Sequence, residues 1–144
     1  MSIHIAEEVN AAIDDVWDLV GDFGGLLRWN PFVACCSSNG EGAGALRTVL
    51  TPDGREIVEQ IEVHDAAARV LRYRVVSAVP EIPVVGMSVK ITLAELAKER
   101  TRVTWDGSLP AEIGEVESLV QSIASGFRAR INALQNALEA RARS

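Results

Sequence analysis

Cysteine and histidine are scarce in this chain, which has two of each among its 144 residues. The cysteines, Cys35 and Cys36, are neighbours, and a disulfide between adjacent residues is strained, so we expect two free thiols of the kind that a reducing cytosol maintains. They have no Cys-x-x-Cys spacing and no histidine nearby, so the sequence predicts neither a metal site nor a cofactor. We expect His4 and His64 at the surface, the first opposite the apolar parity of its strand and the second in a turn.

A net positive charge and long apolar runs are also missing. The net charge of −6 and the pI near 4.9 argue against a nucleic-acid partner, which requires a basic surface. Arg128 and Arg130 are interpreted as part of a solvated helix face. No run is long enough to span a bilayer, and the chain opens on a strand-like segment, so we expect a cytoplasmic protein without stable membrane insertion. The length suits a single domain over residues 1–144, as a monomer or a homodimer.

The first half of the pattern combines short helices with strands. A strand is predicted from Ser2 to Val9, and a helix from Ala11 to Val20 with Asn10 as its N-cap. A further helical turn is predicted over residues 22–27. Six strand-like segments follow, over residues 32–38, 44–50, 55–64, 68–77, 85–96 and 101–109. Their short connections predict an antiparallel meander, because parallel strands need long crossovers.

After Pro110 the apolar residues recur every three or four positions, which predicts one long amphipathic helix. They are Ile113, Val116, Leu119, Val120, Ile123, Phe127, Ile131, Leu134 and Leu138. The predicted fold class is therefore α+β, with a curved seven-stranded antiparallel sheet wrapped around a long C-terminal helix and two short helices after the first strand. One helix is too narrow to fill a curved sheet, so we expect an interior ligand cavity.

In two strands, a charged residue lies on the face whose other residues are apolar. On one parity, the segment 55–64 reads Ile57, Glu59, Ile61 and Val63. On the preceding strand Arg47 shares the parity of Ala45 and Val49, although Leu46 and Leu50 make the other face equally apolar. On the following strand Tyr73 shares the parity of Leu71 and Val75 and is expected to point inward. An inward carboxylate is unfavourable unless it is paired or hydrated, so these residues predict a polar end to the cavity. Two alternatives remain open: Arg47 and Glu59 form a structural pair, or they are edge residues whose charged ends reach water.

The predicted ligand-binding residues combine this polar end with apolar walls and a mouth. They are Trp29, Arg47, Ile57, Glu59, Ile61, Tyr73, Met87, Val89, Ile91, Trp105, Val120, Ile123 and Phe127. Catalytic candidates are Glu59, Arg47 and Tyr73, with Asp106 and Ser108 in reserve, since no nucleophile elbow or phosphate-binding loop occurs.

Several local motifs occur in a fixed order along the chain. They are Val16-Trp17-Asp18-Leu19-Val20-Gly21-Asp22-Phe23-Gly24-Gly25-Leu26, Trp29-Asn30-Pro31, Gly44-Ala45-Leu46-Arg47, Gly54-Arg55-Glu56-Ile57 and Val103-Thr104-Trp105-Asp106-Gly107. With the order of elements, they resemble the helix-grip fold of the START-like (SRPBCC) superfamily, and in particular its bacterial polyketide cyclase/dehydrase family. The resemblance implies a cavity for a hydrophobic or lipid-like ligand.

In plant hormone receptors of that superfamily, a lysine holds the ligand carboxylate. The corresponding position in this chain is close to Asn30, so that lysine is missing. They also cover the pocket with two mobile loops, whose counterparts here are residues 50–54 and 78–84. In the second loop, Val79, Ile82 and Val84 suit an apolar lid; the alternative is an ordinary turn and an edge loop.

Three functions are compatible with these patterns. The first is binding of a small hydrophobic or aromatic molecule, polyketide- or lipid-like. The second is a cofactor-independent cyclase or dehydratase with Glu59 as general base and Arg47 or Tyr73 as electrophilic groups. The third is a protein-interaction module that uses the 78–85 loop. The lack of an inward histidine or a second inward acid favours binding over catalysis.

Overall fold

Seven strands form one antiparallel sheet in the computed structural model, which describes residues 2–110 and 117–143. The strands are β1 (Ser2–Val9), β2 (Cys35–Ser38), β3 (Leu46–Leu50), β4 (Glu56–Asp65), β5 (Val70–Val79), β6 (Ser88–Ala97) and β7 (Arg100–Ser108). Between β1 and β2 lie helix α1 (Ile13–Val20) and a short 3-10 helix (Leu26–Arg28), and the long helix α2 (Glu117–Arg143) follows β7.

The order of strands across the sheet is β1-β7-β6-β5-β4-β3-β2. Strands β2 to β7 form the predicted meander, and β1 pairs with the last strand. In this register Trp105 lies between Ile5 of β1 and Ile91 of β6, so three large apolar side chains form one row on the inner face, towards α2. The curved sheet and the long helix confirm the predicted helix-grip fold.

Helix α2 extends over 27 described residues and buries one apolar stripe. The buried members of the predicted stripe are Ile123, Phe127, Ile131, Leu134 and Leu138. Ile113 and Val116, which were predicted on the same helix, lie outside the described residues. Within the described ranges, no helix is both long and apolar enough to cross a membrane.

The first helix begins two residues later than predicted, at Ile13. Its N-cap is Ala12, which offers no side-chain hydrogen bond, so the prediction of an Asn10 cap is wrong. The backbone N–H of Asn10 instead donates to Oε1 of Gln135 on α2, at 2.7 Å. The chain between β1 and α1 is therefore bound to the long helix.

The second strand is shorter than predicted and begins at Cys35. The side-chain Oδ1 of Asn30 accepts a hydrogen bond from the backbone N–H of Phe32, at 2.9 Å. This Asx-type turn holds the residues around Pro31 away from the sheet, because an asparagine oxygen can replace a strand partner for a nearby N–H.

A β-bulge reverses the faces of β4 after Ile61. Between Ile61 and Val63 the register against β5 shifts by one residue, and an extra residue reverses every later side chain. Val63, predicted to point inward, is 38% exposed. His64, predicted in a surface turn, is in the strand and half-buried, with Nε2 2.8 Å from the Gly21 carbonyl oxygen and its ring 5.4 Å from Trp17. Both predictions are wrong: strand parity gives no sign of the bulge that turns Val63, and β4 continues to Asp65, past the turn predicted at His64.

Candidate functional site

An ion pair lies on the inner face where β3 and β4 meet. Arg47 and Glu59 are direct partners in the register of the two strands, and Nε of Arg47 is 2.8 Å from Oε1 of Glu59. The arginine side chain is 4% exposed and the carboxylate side chain 13%. Val49 is buried on the same parity while Leu50 is exposed, which confirms the inward direction predicted for Arg47.

The guanidinium of Arg47 is held on several sides. Its Nη1 donates to the carbonyl oxygen of Phe23 at 3.0 Å, and its central carbon lies 4.1 Å from the Phe23 ring centre and 4.7 Å from that of Tyr73. Burial disfavours the charge, but the neighbouring Glu59 outweighs it and the pKa of Arg47 is raised. An arginine bound in this way suits the orientation of Glu59 better than direct contact with a ligand.

Tyr73 supplies the hydroxyl at this end. It lies on β5 opposite Ile61 and is buried. Removal from water, followed by the nearby Glu59 charge, raises the pKa of Tyr73 to about 12. At neutral pH the hydroxyl therefore keeps its proton and can donate a hydrogen bond, but it cannot act as a base.

Two cavities that share lining residues lie on the inner face of the sheet, the larger one against α2 and the smaller one against residues 20–33, with Arg130 of α2 bordering both. The larger cavity has a volume of about 370 Å³ and the smaller cavity about 70 Å³. Both are lined by Ile57, Glu59, Tyr73, Trp105 and Arg130. The larger one is at the lower end of the size usual for small-molecule sites, roughly 300–1,000 Å³. The ion pair and the tyrosine thus form a polar region where the two cavities meet.

Most of the predicted ligand-binding residues line these cavities. Besides the shared ones, the larger cavity has Met87, Val89, Ile123 and Phe127, and the smaller has Trp29, Arg47 and Ile91. In the part of the chain that the structure describes, neither Ile61 nor Val120 lines either cavity: Ile61 is 1% exposed in the core, and Val120 packs against the core half-buried. Ligand contact by all of these residues stays a prediction.

The reserve candidates Asp106 and Ser108 face away from this site. On β7 they alternate with the buried Trp105 and Gly107, so they lie on the outer face of the sheet. There Asp106 contacts the ring of the exposed His4. Both line an open outer cleft of about 490 Å³ with Arg72 and Lys90, which is separate from the interior. They cannot share a reaction with Glu59.

Arg130 is the main residue that the sequence interpretation missed. It was assigned to a solvated helix face, yet it is half-buried and lines both cavities. Its Nη1 donates to the Gly126 carbonyl oxygen at 3.0 Å, and its guanidinium carbon lies 5.5 Å from the Phe32 ring centre. A signal existed: Arg130 follows Phe127 by three residues and Ile123 by seven, which places it on the inner face of a helix.

Both predicted loops lie beside the cavities. Ile82 and Val84 are half-buried and line the larger cavity, while Val79 is 68% exposed. The Nε of Arg55, just after the first loop, donates to the carbonyl oxygen of Pro80 in the second at 3.2 Å. This contact joins the two segments at one end of the sheet. Their role as a gate stays a prediction.

Cysteine, histidine and acidic side chains do not converge in the described ranges, where no group of three or more could hold a metal ion. Cys35 is exposed and Cys36 half-buried, both as free thiols. Burial raises the pKa of the Cys36 thiol, so little of it is in the reactive thiolate form at neutral pH.

Comparison with protein families gives one match across nearly the whole chain. A family model described as "Polyketide cyclase / dehydrase and lipid transport" matches residues 2–143. No curated protein matches the sequence significantly.

Solved structures share the fold at low sequence identity. An uncharacterized protein from Bacillus thuringiensis is 23% identical, with a TM-score of 0.82 over 96% of this chain and 98% of that one. A START superfamily protein from Mycobacterium smegmatis is 12% identical, with a TM-score of 0.76 over 96% of this chain and 97% of that one. The di-domain ARO/CYC protein StfQ from the steffimycin biosynthetic pathway is 18% identical, with a TM-score of 0.76 over 95% of this chain and 44% of StfQ.

Proposed function

This chain belongs to the polyketide cyclase / dehydrase and lipid transport family, and on that basis we propose that it binds a small hydrophobic or aromatic molecule, polyketide- or lipid-like, in the larger and smaller cavities. The observation that best supports this proposal is the contrast between the walls of the larger cavity and the polar region where the cavities meet. Most of the larger cavity has apolar walls, whereas the polar residues Glu59, Tyr73 and Arg130 border both cavities and Arg47 lines the smaller one. An apolar volume with a few convergent polar groups is typical of ligand sites.

Binding is testable with a two-ring aromatic ketone, 2-acetylnaphthalene. Trp29 and Trp105 line the smaller cavity, so we expect saturable quenching of tryptophan fluorescence as the ketone enters. Gly126→Leu places a side chain into the larger cavity, where its nearest neighbour is the flexible end of Arg130. We expect this variant to weaken binding by at least about tenfold, a loss of roughly 1.4 kcal/mol.

The matched control is Ser125→Leu, the same new side chain at the adjacent, exposed helix position. It should fold and bind as the unchanged protein does. Unsaturable quenching in the unchanged protein, or equal weakening in both leucine variants, would show that the probe does not occupy the cavities.

A cyclase or dehydratase activity is the second candidate, and the position of Glu59 favours it. One carboxylate oxygen accepts from Nε of Arg47, and the residue lines both cavities. Glu59 would take a proton from the carbon next to a ligand carbonyl. The C–H electron pair would form the C=C bond of an enolate, and the carbonyl π pair would move to the oxygen. Tyr73 would donate to that oxygen, since the Arg47 guanidinium is already bound by Glu59 and Phe23.

The activity is measured as deuterium exchange at the methyl group of 2-acetylnaphthalene in heavy water, followed by NMR. Catalysis predicts an exchange rate above the buffer rate that Glu59→Gln removes while fluorescence still reports binding. Exchange at the buffer rate in the unchanged protein would leave a binding protein only.

Use of the 78–85 loop as a protein interface receives less support. Ile82 and Val84 line the larger cavity, so two of the apolar side chains that an interface would need are directed to the interior. Of Val79, Ile82 and Val84, only Val79 is strongly exposed.

A further inference from the structure

The outer cleft lies on the face of the sheet that is turned away from α2, and the proposed function does not use it. Its volume is about 490 Å³. Four strands that are neighbours in the sheet, β1, β7, β6 and β5, supply its polar side chains, so it is made by paired strands and not by loops. These side chains are Ser2, His4, Arg72, Ser88, Lys90, Asp106 and Ser108.

One row of cross-strand partners brings three hydroxyl groups into the cleft. In the register of the sheet Ser108 is paired with Ser2 on one side and with Ser88 on the other. The Cβ atoms of such direct partners are about 5 Å apart, so their side chains are neighbours. The hydroxyl of Ser88 donates to Oε1 of Glu62 at 2.6 Å. In the described part of the chain, the hydroxyls of Ser2 and Ser108 have no such partner and remain available to a ligand.

The neighbouring row is charged, with Lys90 at its centre. Its direct partners are Arg72 on β5, a like charge and therefore unfavourable, and Asp106 on β7. Both partners are already engaged: Nε of Arg72 lies 3.3 Å from Oε1 of Glu62, and Asp106 contacts the ring of His4. Among the described residues, the Lys90 ammonium has no carboxylate within ion-pair distance.

Arg74 adds a further positive charge at the rim of the cleft. It follows Arg72 by two residues on β5, so it shares the outer face, and it is the direct partner of Ser88. Within the described ranges it also lacks a carboxylate in ion-pair distance. In a chain with a net charge of −6, two uncompensated cations beside available hydroxyl groups favour an anionic ligand at this place.

A phosphate group fits this set of donors better than a carboxylate does. A phosphate monoester has three strong acceptor oxygens and a charge of about −1.5 to −2 at neutral pH, so it can accept from several donors at once. A carboxylate has two oxygens in one plane and a single charge. The cleft offers an ammonium group, a guanidinium group at its rim and two hydroxyls, which come from different strands.

We propose that the outer cleft binds a phosphate monoester, with Lys90 as the central positive charge, Arg74 at the rim, and the hydroxyls of Ser2 and Ser108 as further donors. Asp106 stays in contact with His4, which limits its repulsion of the anion. This site is separate from the cavities and goes beyond the proposed function. A soluble phosphate ester and a phospholipid headgroup share the chemistry that the cleft would recognise.

The first test uses glycerol 3-phosphate, which is too polar to enter the apolar cavities, and compares it with glycerate, a carboxylate of similar size. Both are titrated at constant ionic strength, and backbone amide shifts are followed by NMR. We expect saturable shifts around the outer cleft, with the phosphate bound at least about fivefold more tightly than the carboxylate. Equal affinities would overturn phosphate recognition, and shifts that do not saturate would overturn the site itself.

The chain has only two lysines, Lys90 and Lys98, and they form a matched pair. Lys98 is exposed in the turn between β6 and β7 and does not line the cleft. Each substitution by glutamine removes one positive charge, so the change in net charge is the same. We expect Lys90→Gln to weaken glycerol 3-phosphate by at least about tenfold and Lys98→Gln by less than about twofold. Equal weakening would show diffuse attraction to the whole protein and would overturn the proposal.

Vesicles of phosphatidylcholine, with and without phosphatidic acid, separate the two sources of the phosphate group, because phosphatidic acid is a phosphate monoester. Retention on the phosphatidic acid vesicles that Lys90→Gln abolishes and Lys98→Gln preserves would identify a lipid headgroup as the ligand. Saturable binding of glycerol 3-phosphate without retention on vesicles would identify a soluble ester. If neither is observed, the outer cleft is an ordinary solvated surface and the proposal fails.

Discussion

The interior has a closed end and a hollow end, both covered by the same helix. At the closed end, where the C-terminal half of α2 lies with β1 and α1, Val9, Val16 and Leu134 are completely buried. At the hollow end, Ile123 and Phe127 in the first half of α2 border the larger cavity. The difference shows that one helix suffices to cover the sheet only where α1 is present to fill the remaining space.

The polar groups are distributed in the same way. The cavities contain the junction residues Glu59, Tyr73 and Arg130, whereas the closed end is almost entirely apolar. Stability is therefore expected to depend mainly on the closed end, and ligand recognition on the hollow end. Substitutions that affect one property without the other will test this separation.

The largest effect is expected at the closed end, for Leu134→Ala. Removal of a completely buried leucine should lower the free energy of unfolding by about 2–5 kcal/mol, because its neighbours lose contacts and cannot close the gap. Urea denaturation measures the loss, and the affinity for 2-acetylnaphthalene should stay unchanged.

Ile123→Ala is the counterpart at the hollow end. Ile123 already borders empty space, so its truncation should cost less, about 1–2 kcal/mol, while probe affinity changes. Equal stability losses for the two variants would mean that the hollow end is packed as tightly as the closed one.

The second largest loss of stability is expected at alkaline pH, where Tyr73 is deprotonated. Its folded pKa is raised from 10.0 to about 12, so the stabilisation is complete below pH 10 and is lost as the pH rises from 10 towards 12. The expected loss is about 2–3 kcal/mol, since one pKa unit corresponds to roughly 1.4 kcal/mol. Tyr73→Phe should lack this component.

Tyr73 is the only tyrosine, so the rise of tyrosinate absorbance follows this one group. A midpoint near the ordinary value would show that water reaches the hydroxyl freely, and that the hollow end is wetter than its walls indicate.

Glu59→Gln should lower the free energy of unfolding by about 1–3 kcal/mol. A fully buried pair would lose roughly 3–5 kcal/mol, but the Glu59 side chain is 13% exposed, and glutamine keeps an oxygen that accepts from Arg47. The control is Glu62→Gln on the same strand, where a more exposed pair with Arg72 should contribute under about 1 kcal/mol.

If Glu59→Gln lowers the free energy of unfolding by more than about 3 kcal/mol, the ion pair is structural and behaves like the residues of the closed end. A loss no greater than that of Glu62→Gln, with altered probe affinity, would assign it wholly to the ligand site.

Strand alternation made much of the site predictable. A period of two fixes the face of a side chain, and this was sufficient for Arg47, Glu59 and Tyr73. It does not fix the position along the strand relative to a cavity, which is why Ile61 is inward but lies in packed core. The bulge that turned Val63 outward has no periodic signature.

Helical periodicity places charged residues on a face as well as apolar ones. An inner face defined by apolar residues alone predicts Arg130 in solvent, although Arg130 lies on that face and lines the larger cavity. Long charged side chains often occupy such positions because their stems are apolar. That the indole N–H groups of Trp29 and Trp105 have no partner among residues 2–110 and 117–143 could not be foreseen, since hydrogen-bond partners across the interior depend on tertiary structure.

Arg47 connects Glu59, which lines both cavities, to a segment of the chain whose described residues do not line them. The same guanidinium that holds Glu59 also holds the carbonyl oxygen of Phe23, in the chain between α1 and the short 3-10 helix. A ligand that competes with Arg47 for Glu59 would change the hydrogen bond between Arg47 and that segment. The rate of amide exchange near Phe23 should therefore depend on whether the cavities are occupied. Thermodynamic reciprocity then requires the converse: any partner that immobilises this segment alters ligand affinity by the same factor.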